Sequence, residues 1–292
     1  MVQRMKSLTK YLDEKLVIFL SRVNEKLVIN KSYKDAQSYT CTPKTFEELR
    51  KIIEDRYDKL GPGTKTKPID FNDIDVSNID SFYNENINIG IFQRAKFEYI
   101  DISDWDVSNI KNMRHMFWHC EQLKSVGDIS NWNVSNVRNT MSMFYWCEQL
   151  TSVGDLSKWD VSKFDSMYAM FYGCAQLKSI GDLSNWNVSN VEYINSMFNE
   201  CAQLKSIGDL SNWNVSKVRD ISSMFCNCKQ LTSVGDLSKW NVSNVMDVGS
   251  IFYGCKQLKS VGDLSNWNIS NVKNMYNMFK NSGIINIPKW YR

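Results

Sequence analysis

Residues 186–212 read WNVSNVEYINSMFNECAQLKSIGDLSN, and nearly the same residues recur on either side. Tryptophan stands at 105, 132, 159, 186, 213, 240 and 267, each 27 residues from the next. A spacing held through seven copies means one structural unit repeated, whose apolar face is buried only against its neighbours. The copies also align one another. Positions that agree are architectural, and positions that differ face solvent or a partner. In the specimen copy Val188 and Val191 come first, and Ile194, Met197, Phe198 and Cys201 follow at i, i+3, i+4 and i+7. That spacing predicts a helix of about three turns, with Ser189 or Asn190 placed to cap it. Leu204, Ile207 and Leu210 lie in a stretch read as strand and turn, so the strands of successive copies run parallel.

The pattern W-N/D-V-S-N-V-x-x-M-x-x-M-F-x-x-C-x-x-L, clear at residues 132–150 and 267–279, resembles the BspA-like leucine-rich repeats. That group is also described as the Mycoplasma-lipoprotein repeat family of unknown function. The resemblance covers roughly residues 71–287. It implies an α/β leucine-rich-repeat solenoid, with one parallel strand and one helix per copy. It also implies a kinship with surface proteins of bacteria and protozoa. The Gly-Asp pair, as at Gly208-Asp209, departs from the single residue expected between strand anchors. The N-terminal zone is similar to leaders of repeat proteins from gut Bacteroidales and their phages.

Residues 1–70 carry no copy and read as a small helical module and linker. The apolar run at residues 16–20 is flanked by Asp13, Glu14 and Arg22, and no small-residue cleavage site or lipobox-like cysteine follows. It reads as part of an amphipathic helix and not as a secretory signal, so the chain is cytoplasmic at synthesis, with virion or cell surface as open destinations. A β-like run follows at residues 26–30. Thr45 to Glu48 has the form of a capping box, and Phe46, Leu49, Ile52, Ile53, Tyr57 and Leu60 recur at helical spacing until Gly61-Pro62-Gly63. Residues 71–292 form the repeat region: a degraded capping copy over 71–104, regular copies over 105–281 and a C-terminal cap over 282–292. In the cap Ser282 replaces cysteine, and Pro288 and Lys289 discourage edge pairing.

Charge and composition narrow the function. A net charge of +3 with interspersed signs leaves no nucleic-acid footprint, and no apolar run is long enough to span a bilayer. Six of the eight cysteines share one position, from Cys120 to Cys255, and read as a ladder of buried reduced thiols. His115 and His119 have the i,i+4 spacing of a zinc pair on a helix. The position of His115 varies between copies and reads as surface. Stacked Asp128, Asp155, Asp182, Asp209, Asp236 and Asp263 repel unless something offsets them. Turn amides are the favoured partners, with calcium as the alternative. Asn133, Asn187, Asn214, Asn241 and Asn268 fit a glycosylation pattern. Asp106 and Asp160 take their place elsewhere, which points to a side-chain oxygen acting as a turn acceptor.

No catalytic set or cofactor loop emerges, and the chain reads as a non-enzymatic interaction or adhesion scaffold for a protein or cell-surface partner. The alternative is a structural part of a larger assembly, such as a virion, joined through residues 1–70. Each tryptophan buries roughly 150–250 Å², an upper bound of about 4–6 kcal/mol per copy. With strands on the inner curve, the expected contact row is Lys124, Thr151, Lys178, Lys205, Thr232 and Lys259 with the adjacent Ser125, Ser152 and Ser179. A second row, on the helical side, comprises Trp118, Tyr145, Tyr172, Asn199, Cys226, Tyr253 and Lys280.

Overall fold

The structure is a computed structural model that describes residues 39–291. The helix and β-like run read within residues 1–38 lie outside the described residues. Residues 41–292 form one compact unit, which begins ahead of the boundary drawn at residue 70. Helix α1 (Phe46–Leu60) belongs to this unit. The Thr45 hydroxyl accepts the Glu48 amide at its start, and Gly61, at φ 74°, ends it. Leu49 and Ile53 are buried in the same core as the copies. Arg50 donates to the carbonyl of Gly90, and Arg56 donates to the carbonyl of Asp70 and the carboxylate of Asp73. The helix thereby covers the first copy, which is irregular as its sequence suggests. Strand β1 (Ile69–Asp70) pairs in parallel with β4 (Ile100–Asp101), and β2 (Tyr83–Asn84) pairs antiparallel with β3 (Ile89–Gly90).

Each later copy lies on the next in parallel register. Single bridges link Ser81 to Asn112, and then Asn139, Ser166, Tyr193, Asp220, Asp247 and Asn274 in turn. The core runs the length of these copies. The seven tryptophans are 3–4 % exposed, and the phenylalanines of the column from Phe92 to Phe252 are fully buried. Phe92, Phe117, Phe144, Phe171, Phe198, Phe225, Phe252 and Phe279 stack at 5.0–6.1 Å. Every indole from Trp132 to Trp267 donates to a main-chain carbonyl 30 residues back, at 2.9–3.1 Å. Each cysteine from Cys147 to Cys255 does likewise, as Cys201 Sγ does to the Phe171 carbonyl, 3.1 Å away, and Cys120 donates to the Phe92 carbonyl 28 residues back.

The segment expected as a helix takes another path. Among the described residues α1 is the α-helix, and residues 113–119 with their equivalents run as successive turns. The amides of Met113, His115, Phe117 and His119 donate to the carbonyls of Asn139, Met141, Met143 and Tyr145 in the next copy. Those of Met116, Trp118 and Cys120 close i−3 turns within the copy. Half of the amides are thus directed along the stack, where a helix would turn all of them inward to i−4. Left-handed backbone at His115 and His119 (φ 56° each), repeated at Ser142 and Trp146 and at Ser196 and Glu200, makes the alternation possible. Such a conformation costs about 1–2 kcal/mol per L-residue, and the inter-copy bonds offset it. Turns closing every three to four residues bury the same i, i+3, i+4, i+7 set as a helix, which is why the periodicity misleads.

Beyond the β1–β4 pair, the stretch read as a strand shows bridges, among the described residues, only at Tyr99, Ser125 and Ser152. In four copies a 3₁₀ turn follows it, at Leu156–Lys158, Leu210–Asn212, Leu237–Lys239 and Leu264–Asn266. Tryptophan rings sit 6.4–6.5 Å apart, whereas hydrogen-bonded chains are held at about 4.8 Å. The most continuous bridged row runs from Ser81 to Asn274.

Candidate functional site

The residues that agree between copies are consumed by the stack. Asp209 Oδ1 accepts the Ser211 amide at 2.9 Å, and Asp128, Asp155, Asp182, Asp236 and Asp263 make the same turn. These bonds, with those of the serine side chains, hold the carboxyls of Asp155, Asp209, Asp236 and Asp263 below the usual range. The glycine of the following copy lies against each of the carboxylates up to Asp236: a Cβ on Gly208 would stand 1.8 Å from Asp182 Oδ1. That contact accounts for the Gly-Asp pair. The turn-amide reading of the ladder agrees with this geometry. Among the described residues no group of three or more His, Cys, Asp or Glu is placed to hold a metal ion. Asn133, Asn187, Asn214, Asn241 and Asn268 accept the amide two residues on, as do Asp106 and Asp160, the interchange expected of an oxygen acceptor.

His115 is half-buried, not a surface residue, and its equivalents Ser142 and Ala169 are buried. Burial, and then the Arg114 charge, lower its pKa to about 4. His119 meets Glu121 at 3.1 Å, and both histidines sit on left-handed backbone with no helix face to share.

The two expected contact rows fare differently. On the first, Thr151, Lys178, Lys205, Thr232 and Lys259 are exposed, while Lys124 is half-buried and paired with Glu98 at 2.6 Å. Much of the row also serves the fold. Thr151 and Thr232 donate to the carbonyls of Lys124 and Lys205, and Ser125, Ser152 and Ser179 accept the amides of Gly127, Gly154 and Gly181. Among the described residues, the ammonium groups of Lys178 and Lys205 have no ion-pair partner. On the second row Trp118 stacks on Tyr145 at 6.1 Å and Tyr145 on Tyr172 at 4.8 Å, all half-buried, with Arg94 over Trp118 at 4.9 Å. The row then breaks. Asn199 is buried with its Oδ1 unbonded, Cys226 is half-buried, and Tyr253 stands two copies beyond the break. Lys280 is exposed.

A further feature went unread in the sequence. Beside the bridged row a groove of about 480 Å³ spans four copies, lined by Lys217, Arg219, Asn244, Met246, Asn271 and Lys273, with Glu192 at one end. These residues fall on two exposed positions that vary between copies, the fourth and sixth after tryptophan. That variability was the available signal.

No described helix is long and apolar enough to cross a membrane. No curated protein and no solved structure matches the chain. A family model does, over residues 85–208 and 204–290, which is most of the repeat region. The chain therefore belongs to the family described as Mycoplasma protein of unknown function, DUF285.

Proposed function

We propose that residues 71–292 form one solenoid of the leucine-rich-repeat kind, allied to the BspA-like repeats, with serial turns in place of the helix. We propose further that the solenoid is a non-enzymatic scaffold, holding a protein or cell-surface partner on positions that differ between copies. The observation that carries this reading is the division of labour within each copy. Trp, Val, Phe, Cys, Leu, Gly and Asp are committed to inter-copy contacts, while Lys178, Lys205 and Lys259 stand exposed and Trp118, Tyr145 and Tyr172 half-exposed. Aromatic side chains with one open edge are the residues that anchor protein interfaces. The test is capture on the full-length chain, on Lys178→Glu/Lys205→Glu/Lys259→Glu, and on Trp118→Ala/Tyr145→Ala/Tyr172→Ala. A partner lost by one set and rebound from purified components supports the scaffold. Capture indifferent to both sets overturns it.

The second reading is a structural part of an assembly, such as a phage virion of gut Bacteroidales, joined through the N-terminal residues. Burial of Leu49 and Ile53 against the copies commits α1 to the stack, so in this reading residues 1–40 make the joint. Comparing the oligomer size of the full chain with that of residues 41–292 separates the two.

A further inference from the structure

Arg219, Met246 and Lys273 occupy one position of three consecutive copies, so a cation, an apolar side chain and a second cation follow one another along the groove. Lys217 adds a third positive charge. Glu192 answers one of them, Arg219, at 3.1 Å. The neighbouring position supplies acceptors. In the earlier copies lysines fill them: Lys163 donates to Asn136 Oδ1 and Lys217 to Asn190 Oδ1. Asn244 and Asn271 are followed by no such lysine. Their Nδ2 groups are used on the carbonyls of Ser216 and Ser243, 2.7 Å away. Among the described residues their Oδ1 atoms accept no hydrogen bond. Met246 is 40 % exposed in the middle of the groove.

We propose that this groove binds an acidic stretch of polypeptide. Its carboxylates meet Lys217, Arg219 and Lys273, an apolar side chain lies on Met246, and peptide N–H groups donate to Oδ1 of Asn244 and Asn271. The three demands come together in a peptide. A bare anion such as sulfate uses the cations, leaves both amide oxygens empty and offers nothing to the thioether. Charges placed in this way chiefly govern encounter and selectivity, so binding weakens as salt rises. The site lies apart from the lysine and aromatic rows, and its fate is independent of theirs.

The test is a titration of the full-length chain carrying ¹³C-methyl methionine, with the Met246 methyl signal assigned by its loss in Met246→Leu. The probes are acetyl-Glu-Ala-Leu-Ala-Glu-amide, its Lys-for-Glu counterpart, sodium sulfate and a sulfated heparin tetrasaccharide. The expected result is a saturable shift with the acidic peptide, at a midpoint about tenfold below that of the basic one. Arg219→Glu/Lys273→Glu raises that midpoint by about tenfold or more, while Lys65→Glu/Lys67→Glu, at two exposed lysines outside the groove, leaves it unchanged. The signals of the buried methionines, unmoved, verify that each variant is folded. An equal response to both peptides, an equal shift with sulfate, tighter binding of the tetrasaccharide, or no shift at about 10 mM acidic peptide would each overturn the proposal.

Discussion

Trp213 Nε1 donates to the carbonyl oxygen of Leu183, 2.9 Å away in the preceding copy. The same oxygen accepts the Trp186 amide at 3.0 Å, so loss of the indole N–H leaves it bonded. Trp213→Phe should therefore cost only about 0.5–1.5 kcal/mol. Trp213→Ala also removes a buried ring and should cost about 3–5 kcal/mol. It should exceed Trp267→Ala, because Trp213 has a stacked tryptophan on each side and Trp267 on one. Urea unfolding of the three variants gives the order.

Gly208 combines φ +89° with no room for a Cβ beside Asp182. Gly208→Ala should destabilise by roughly 2–5 kcal/mol, from left-handed strain and overpacking together. Asp182→Ala by itself loses the turn bond to the Ser184 amide, about 0.5–2 kcal/mol. In the double variant the clash is gone, so its loss should fall short of the sum of the two single losses. Additive losses in a double-mutant cycle would contradict the packing described.

Acid should loosen the stack in a defined direction. Asp155, Asp209, Asp236 and Asp263 are more acidic folded than unfolded because turn amides and serine hydroxyls favour the charged form. Their contribution is complete above the unfolded value of about 3.9 and is lost as pH falls through the lower folded values. Asp209→Asn keeps the acceptor oxygen and drops the titration. Thermal melts from neutral pH to about pH 2 should show a shallower acid decline for this variant than for the parent chain.

The thiol ladder should be silent to alkylation while the protein is folded. Burial raises the thiols of Cys147, Cys174, Cys201 and Cys228, and that of Cys255 to about 12, which suppresses the reactive thiolate at neutral pH. Half-buried Cys226, raised to about 11, should also react slowly. Iodoacetamide labelling followed by mass spectrometry should find the five buried thiols modified only once denaturant has unfolded the chain, and Cys226 modified slowly before that.

The repeat, its stacking partners and the reduced cysteines were legible because a 27-residue spacing admits few other arrangements. Asp106 and Asp160 in place of asparagine gave away the turn acceptor, and variation between copies is the ground on which the two rows are proposed. The path of each copy was not legible. Ile194, Met197, Phe198 and Cys201 point inward whether the chain coils or turns, and only the direction of alternate amides separates the two. The bridges were misplaced for the same reason, since the most continuous ones lie at Asn139 and Ser166 and not along the lysines. The groove at Met246 escaped because its cations come from different copies and meet only once those copies are stacked.

The phenylalanine column widens from 5.0 Å between Phe117 and Phe144 to 6.1 Å between Phe225 and Phe252 and closes to 5.8 Å at Phe279, while α1 packs on the first copy. Under mechanical tension the copies should peel in discrete rips from the end that α1 does not cover. Each rip would release 27 residues, roughly 90–95 Å of slack, so a pulled chain would lengthen in even steps before it parted.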